Sequence, residues 1–251
     1  VASRRTALLL LLISLAGCSG LATATPTQAP RAVLVTSPAL EPLVTGWLKE
    51  YASATGPLPF DLNIRAPSAD LVIGETRIQG SPPGDAAFAT PLGREAVVVI
   101  VNQDVTKRDF TLAELADIFS GRTAKWETIQ GGSESVQPVI PLPEDSLRLA
   151  FQAHVMGSSP FASGARLAST PRNMVALVAQ TQGAIGLVPL SQPADGVRVA
   201  RVGGQLADPD RLDSTSYPLT FAVIAAGAAV PATSVYDFLL WRQAPKPTAQ
   251  P

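Results

Sequence analysis

The chain has 251 residues, 46% of them hydrophobic and 16% charged, with 19 Lys+Arg against 20 Asp+Glu for a net charge of -1. That apolar share is ample for a globular core, and so even a charge balance leaves no basic stripe for nucleic acid and no acidic solvating block. One histidine (His154) and one cysteine (Cys18) are too few for a zinc site of His and Cys ligands or an internal disulfide, and no cofactor is expected.

Arg4 and Arg5 precede an apolar stretch from Ala7 to Leu15, followed by Ala16-Gly17-Cys18. A basic start, a short apolar middle and small residues before a cut describe an export signal. A cysteine directly after the cut resembles a bacterial lipoprotein signal. The resemblance implies a signal peptide over 1–17, a lipid on Cys18, and a protein of the cell envelope tethered outside the cytoplasmic membrane. The bland alternative is a buried free cysteine behind apolar residues. The run falls short of the roughly 20 residues of a membrane span. Arg4-Arg5 also admits twin-arginine export, though the residues after them fit that pattern poorly. Residues 18–30 are small, polar and Pro/Thr-rich, the composition of a flexible tether.

Removing signal and tether leaves roughly 215 to 220 residues, one large or two small domains. Ala32 to Val35 reads as a strand. Leu43, Val44, Trp47, Leu48 and Tyr51 recur at helical spacing, and Gly56 stops the helix. Phe60, Leu62 and Ile64 alternate as a strand, Asp70 to Ile73 forms another, and Ala96 to Val101 is a longer run rich in β-branched residues. Thr111 caps a helix carrying Leu112, Leu115, Ile118 and Phe119, with Gly121 past its end. A strand over Val136 to Ile140 precedes a helix from Leu147 to Val155. His154 falls in the apolar run Phe151 to Met156 and reads as structural. Asn173 caps a helix over Met174 to Gln180. Strands follow at Ala184 to Pro189 and Phe221 to Ala225, and Ser234 opens a last helix through Trp241. Residues 243–251 are Pro-rich and read as a disordered tail. Strand and helix alternate without an internal repeat, which predicts α/β layers on a mainly parallel sheet.

Four segments, in order, resemble the phosphate-binding proteins of bacterial phosphate ABC importers. Phe110-Thr111-Leu112 through Ile118-Phe119-Ser120-Gly121-Arg122 to Trp126 is similar to that family's Leu-Thr-Leu … Ile-Phe-x-Gly-Lys … Trp stretch. Gln182-Gly183-Ala184-Ile185-Gly186 is similar to its Gly-Ala-Ile-Gly turn and strand. Tyr217-Pro218-Leu219 is similar to its Tyr-Pro-Leu lead into the closing strand, and Val98 to Asn102 to a strand crossing between lobes. The resemblance implies a two-lobed type 2 periplasmic binding protein fold. Each lobe would be a mixed, mainly parallel sheet flanked by helices, lobe one from 31–96 plus 190–242 and lobe two from 97–189, joined by crossing strands around a ligand cleft.

Sites of this family hold an oxyanion with backbone N–H groups at helix N-termini and with hydroxyls. Carried over residue by residue, the ligand set is Ser37, Glu75, Ser146 and Arg148. Ser37 keeps a hydroxyl in Thr36-Ser37-Pro38-Ala39-Leu40, or serves as a cap or turn residue. Glu75 stands where the family has an aspartate that accepts from a protonated oxyanion, or is a surface charge. Ser146 and Arg148 remain of the family's Gly-Ser-Gly-Thr-Arg loop. Its glycines are gone, and Pro143-Glu144-Asp145 stands before the helix. Glu144 and Asp145 either complement the helix dipole or occupy the anion's seat. A carboxylate about 4 Å from an anion opposes it by about 4 kcal/mol at an effective dielectric of 20, close to a thousandfold in affinity. Arg148 pairs either with an anion or with Glu144 one turn back.

The resemblance therefore implies a monomeric solute-binding lipoprotein, not an enzyme. It would take phosphate or another small oxyanion and deliver it to an ABC permease. The alternatives are a sensor or envelope interaction module of the same fold without a small ligand, and an exported hydrolase, for which His154 is the only imidazole base.

Overall fold

The computed structural model describes residues 31–58, 60–63, 71–75, 86–212 and 217–244. The expected signal, tether and Cys18, and the tail beyond residue 244, lie outside the described residues.

β1 (Ala32–Thr36) leads into α1 (Glu41–Thr55), whose buried stripe is Val44, Trp47, Leu48 and Tyr51. Gly56 closes α1 with φ 100°, a dihedral that L side chains rarely adopt. β2 (Phe60–Asn63) and β3 (Leu71–Glu75) both run parallel to β1.

β4 (Phe88–Val101) is longer than the apolar run predicts. Its first half carries Pro91 and Gly93, poor strand residues. There the ladder with the partner strand shifts register: Val223 faces Gly93 and Ile224 faces Pro91, which leaves Leu92 as the extra residue of a β-bulge. Its second half is buried on both faces. Val97, Val99 and Val101 join a cluster with Phe119, Phe151 and Leu187, while Val98 and Ile100 join one with Met174, Val178 and Val188. A strand covered on both sides needs no polar alternation, hence the unbroken Ala96 to Val101.

β5 (Asp109–Phe110) precedes α2 (Leu112–Phe119), which starts with a reciprocal capping box: Thr111 Oγ1 accepts Glu114 N–H, and Glu114 Oε2 accepts Thr111 N–H. β6 (Gln137–Pro141) leads to α3 (Ser146–Phe151), which widens into a π-turn over Gln152–Met156 that ends at Gly157. After β7 (Arg166–Ala168) comes α4 (Pro171–Gln180). The cap of α4 is Thr170, not Asn173: Thr170 Oγ1 accepts Asn173 N–H at 3.1 Å, and Asn173 Oδ1 accepts Ser169 N–H at 3.2 Å. Asn173 is thus the third helical residue, bonding back as a capping-box partner does. β8 (Ala184–Pro189), β9 (Arg198–Val199), β10 (Arg201–Val202), β11 (Thr220–Gly227) and α5 (Thr233–Gln243) complete the chain. Strands of two or three residues, such as β5, β7, β9 and β10, are too short to show a period in sequence.

The main sheet runs β2-β1-β3-β11-β4-β8-β6-β7, with β9 on β4. It is parallel at its flanks and antiparallel at its centre, where β11 and β4 stitch the flanks together. β4 belongs to both sides, its first half pairing with β11 and its second with β8.

Candidate functional site

Two loops leave the carboxyl ends of parallel strands, the position where open α/β sheets bind ligands. After β1, the carbonyl of Ser37 accepts the N–H groups of Leu40 and Glu41, both at 3.1 Å, and so turns the chain into α1. After β6, Asp145 N–H donates to Leu142 O at 3.0 Å and closes a turn over Pro143 and Glu144. Asp145 then caps α3, its Oδ1 accepting Leu147 N–H at 2.9 Å.

The two loops meet at this carboxylate. Asp145 Oδ2 accepts Ala39 N–H at 3.2 Å, across 106 residues of sequence. Asp145 is 6% exposed and Ala39 1%. One carboxylate therefore takes a backbone donor from the α1 loop and another from the start of α3, a helix that packs against β3, β4, β6 and β8. Beside it lies a cavity of ≈ 10 Å³, lined by Ala39, Pro141, Asp145, Leu147, Ala168, Thr170, Pro171, Met174 and Leu187. That is room for about one water and too little for a phosphate.

The other expected residues fall around this contact. The Ser37 Oγ is buried and makes no hydrogen bond among the described residues. Ser146 is buried as the first residue of α3. Glu75 ends β3 with its backbone opposite Val223, and its side chain lies outside what is described. Arg148 is turned elsewhere: Nη1 donates to Pro141 O at 3.0 Å and the guanidinium lies 4.7 Å from the Phe161 ring centroid. Burial lowers its pKa. It makes no ion pair with Glu144, which is exposed. Ala39 was not anticipated, because a backbone donor leaves no side-chain signal. The acidic pair before α3 did mark its partner.

A wider groove of ≈ 790 Å³ opens between the first turns of α1 and α4 and the loop 192–195. Its charged lining is Glu41, Lys49, Arg172 and Asp195, two of each sign, so it holds no net field for an anion. His154 sits at the surface of the π-turn, where desolvation and the Arg94 charge lower its pKa. Among the described residues no group of three or more His, Cys, Asp or Glu side chains is arranged to hold a metal ion.

A family model described as a PBP superfamily domain matches residues 22–230. No curated protein is similar to the chain by sequence. Solved structures are similar in fold. One is a protein assigned as a phosphate ABC transporter substrate-binding protein from Clostridium perfringens, solved with bound phosphate (TM-score 0.73, 16% identity, 84% of this chain and 92% of that one). Another is an ABC-type phosphate transport receptor from Vibrio cholerae (TM-score 0.67, 14% identity, 85% and 94%). The CcmR regulatory domain from Synechocystis, in complex with 2-PG, is also similar (TM-score 0.57, 12% identity, 85% and 96%). At these identities the likeness is one of fold, and that fold serves receptors and regulators alike. The family match spans most of the sequence, so the chain belongs to the PBP superfamily, as a divergent member with the type 2 periplasmic binding protein fold.

Proposed function

We propose that this chain is an extracytoplasmic solute-binding lipoprotein, tethered through a lipid on Cys18, that takes phosphate or another small oxyanion and passes it to an ABC permease. Its lobes would be 31–96 plus 190–242 and 97–189, turning about β4. The observation that supports the reading is the convergence of Ala39 N–H and Leu147 N–H on one carboxylate. Donors that hold a carboxylate oxygen are those that hold a phosphate oxygen. Ser37, whose hydroxyl has no partner among the described residues, and Ser146 and Glu75 would complete the ligand shell, and Arg148 would join only by leaving Phe161. Two of the structures of like fold are named for phosphate transport. Calorimetric titration of ligand-stripped protein with phosphate, sulfate, molybdate and tungstate tests it. Saturable heat with one of them is expected, and silence with all four removes the ligand claim. For the anchor, Cys18→Ser is expected to move the protein from the membrane fraction to the soluble one.

A second reading is a sensor or envelope interaction module without a small ligand. The ≈ 10 Å³ left beside Asp145 favours it, since no oxyanion fits there unless the carboxylate withdraws. Permease and ATPase genes next to this one would support import, and a histidine kinase gene would support sensing.

A further inference from the structure

We infer that Asp145 is a built-in ligand: its carboxylate fills the oxyanion seat and latches the α1 loop to the α3 loop, so that the cleft closes with no solute bound. This rests on the oxyanion reading only for what replaces the carboxylate, not for the latch. Each Asp145 oxygen has its own backbone donor, Leu147 N–H on Oδ1 and Ala39 N–H on Oδ2. The first bond is local, an N-cap. The second joins segments 106 residues apart and contributes nothing to α3 itself. The contact is buried, with Ala39 at 1% and Asp145 at 6% exposure, so bulk water does not compete for either group. The space remaining is that of about one water. The carboxylate therefore acts on the seat as a bound anion would, but at the effective concentration of a tethered group.

A device of this kind has two consequences. An external oxyanion must displace Asp145 before it reaches the same N–H groups, so apparent affinity falls by the fraction of molecules with the seat vacant. Removing the charge also removes its repulsion of a nearby bound anion. Neutral variants are then expected to bind phosphate more tightly, by up to about a thousandfold where the charge would sit about 4 Å from the ligand.

Pulsed electron spin resonance reads the latch directly. In full-length Cys18→Ser protein, spin labels go on Ala54→Cys of α1 and Ala113→Cys of α2, both exposed positions. Asp145→Ala removes both bonds. Asp145→Asn keeps an oxygen for the cap but offers Ala39 an NH₂ group, donor against donor, and so keeps the test valid if the alanine variant misfolds. Exposed Glu144→Gln is the control. Without anion, the unsubstituted site and Glu144→Gln are expected to give one narrow distance, and both Asp145 variants a longer, broader distribution. If phosphate then shortens the variants' distance, latch and oxyanion seat both stand. If phosphate leaves them open, the latch stands and the oxyanion reading falls. If the unsubstituted site is already as long and broad as the variants and phosphate closes it, the latch is overturned and the receptor reading stands. If all proteins give the same distance, the latch is overturned.

Discussion

Glu95 accepts the backbone N–H of Leu190 through Oε1 at 3.0 Å, while Leu190 N–H also reaches Ala96 O at 3.0 Å. The same Oε1 takes Ala96 N–H at 2.8 Å. Two stretches of chain are thereby strapped where β4 passes from β11 to β8. A third joins them: Val97 N–H donates to Leu219 O at 2.9 Å, and the Tyr217 hydroxyl donates to Val97 O at 2.9 Å. If the lobes turn about β4, this knot is their axis, and its polar groups are buried.

Glu95 makes stability depend on pH. At 1% exposure its desolvation raises the pKa above 4.5, and the N–H groups of Ala96 and Leu190 oppose this only in part. The folded state therefore binds the proton more firmly than the unfolded state. The stability this lends is full below the ordinary carboxylate value and is lost as pH rises through the raised one. Glu95→Gln keeps an acceptor oxygen and never ionises. Urea midpoints followed from about pH 4 to 8 should fall for the wild type across that window, relative to Glu95→Gln, and the variant should match or exceed the wild type above it.

Tyr217 is 3% exposed, and burial raises its phenol pKa well beyond the usual tyrosine range. Its hydroxyl thus remains a donor to Val97 throughout the accessible pH range. Tyr217→Phe leaves the Val97 carbonyl short of one partner and should cost about 1 kcal/mol, measured by denaturant titration. A loss below a few tenths would mean that water replaces the hydroxyl.

Most of this fold was legible because burial and period agree. The stripe of α1, the doubly buried end of β4 and the cap at Thr111 each follow from a local rule. The early half of β4 was not, because Pro91 and Gly93 are tolerated only through the bulge that β11 accommodates, a tertiary fact. Thr170 displaced Asn173 as the cap of α4 because Pro171 fits the first turn of a helix, where its missing N–H costs nothing. At the site, residue types pointed to the loops and to the acidic pair before α3. They did not show that Arg148 would lie over Phe161, since that depends on a ring arriving from the chain after the π-turn.

The start of α2 should be acid-labile. Glu114 loses some solvation on folding, but its bonds from Thr111 and the ion pair with Lys107 at 2.9 Å outweigh this and lower its pKa. The resulting stability is present above the ordinary carboxylate value of 4.5 and lost as pH falls through the lowered one. Thr111→Ala removes half the capping box and should cost about 1 kcal/mol at neutral pH. The difference from wild type should narrow in acid, where a protonated Glu114 accepts the Thr111 hydroxyl more weakly than the carboxylate does.

The turn ahead of β8 carries the sharpest prediction. Gly183 has φ 66°, and a Cβ there would lie 2.1 Å from the Ser135 carbonyl oxygen. Its backbone is fully committed: N–H donates to the Asp104 carboxylate, and its carbonyl accepts Gln137 N–H at 3.0 Å and the buried Trp126 Nε1–H at 2.8 Å. Moving the turn to admit a methyl would break these bonds together. Gly183→Ala should therefore cost about 4 kcal/mol or more, at the extreme for single substitutions. Gly186 differs in kind. Its Cβ would meet side chains, Met174 Sδ and Val178 Cγ2, both at 2.7 Å, and Met174 can bend away. Gly186→Ala should cost about 1 to 3 kcal/mol, and combining it with Val178→Ala should recover part of the loss. A double-mutant cycle by denaturant titration measures that coupling. No partner substitution should rescue Gly183→Ala, because the atom it strikes is backbone.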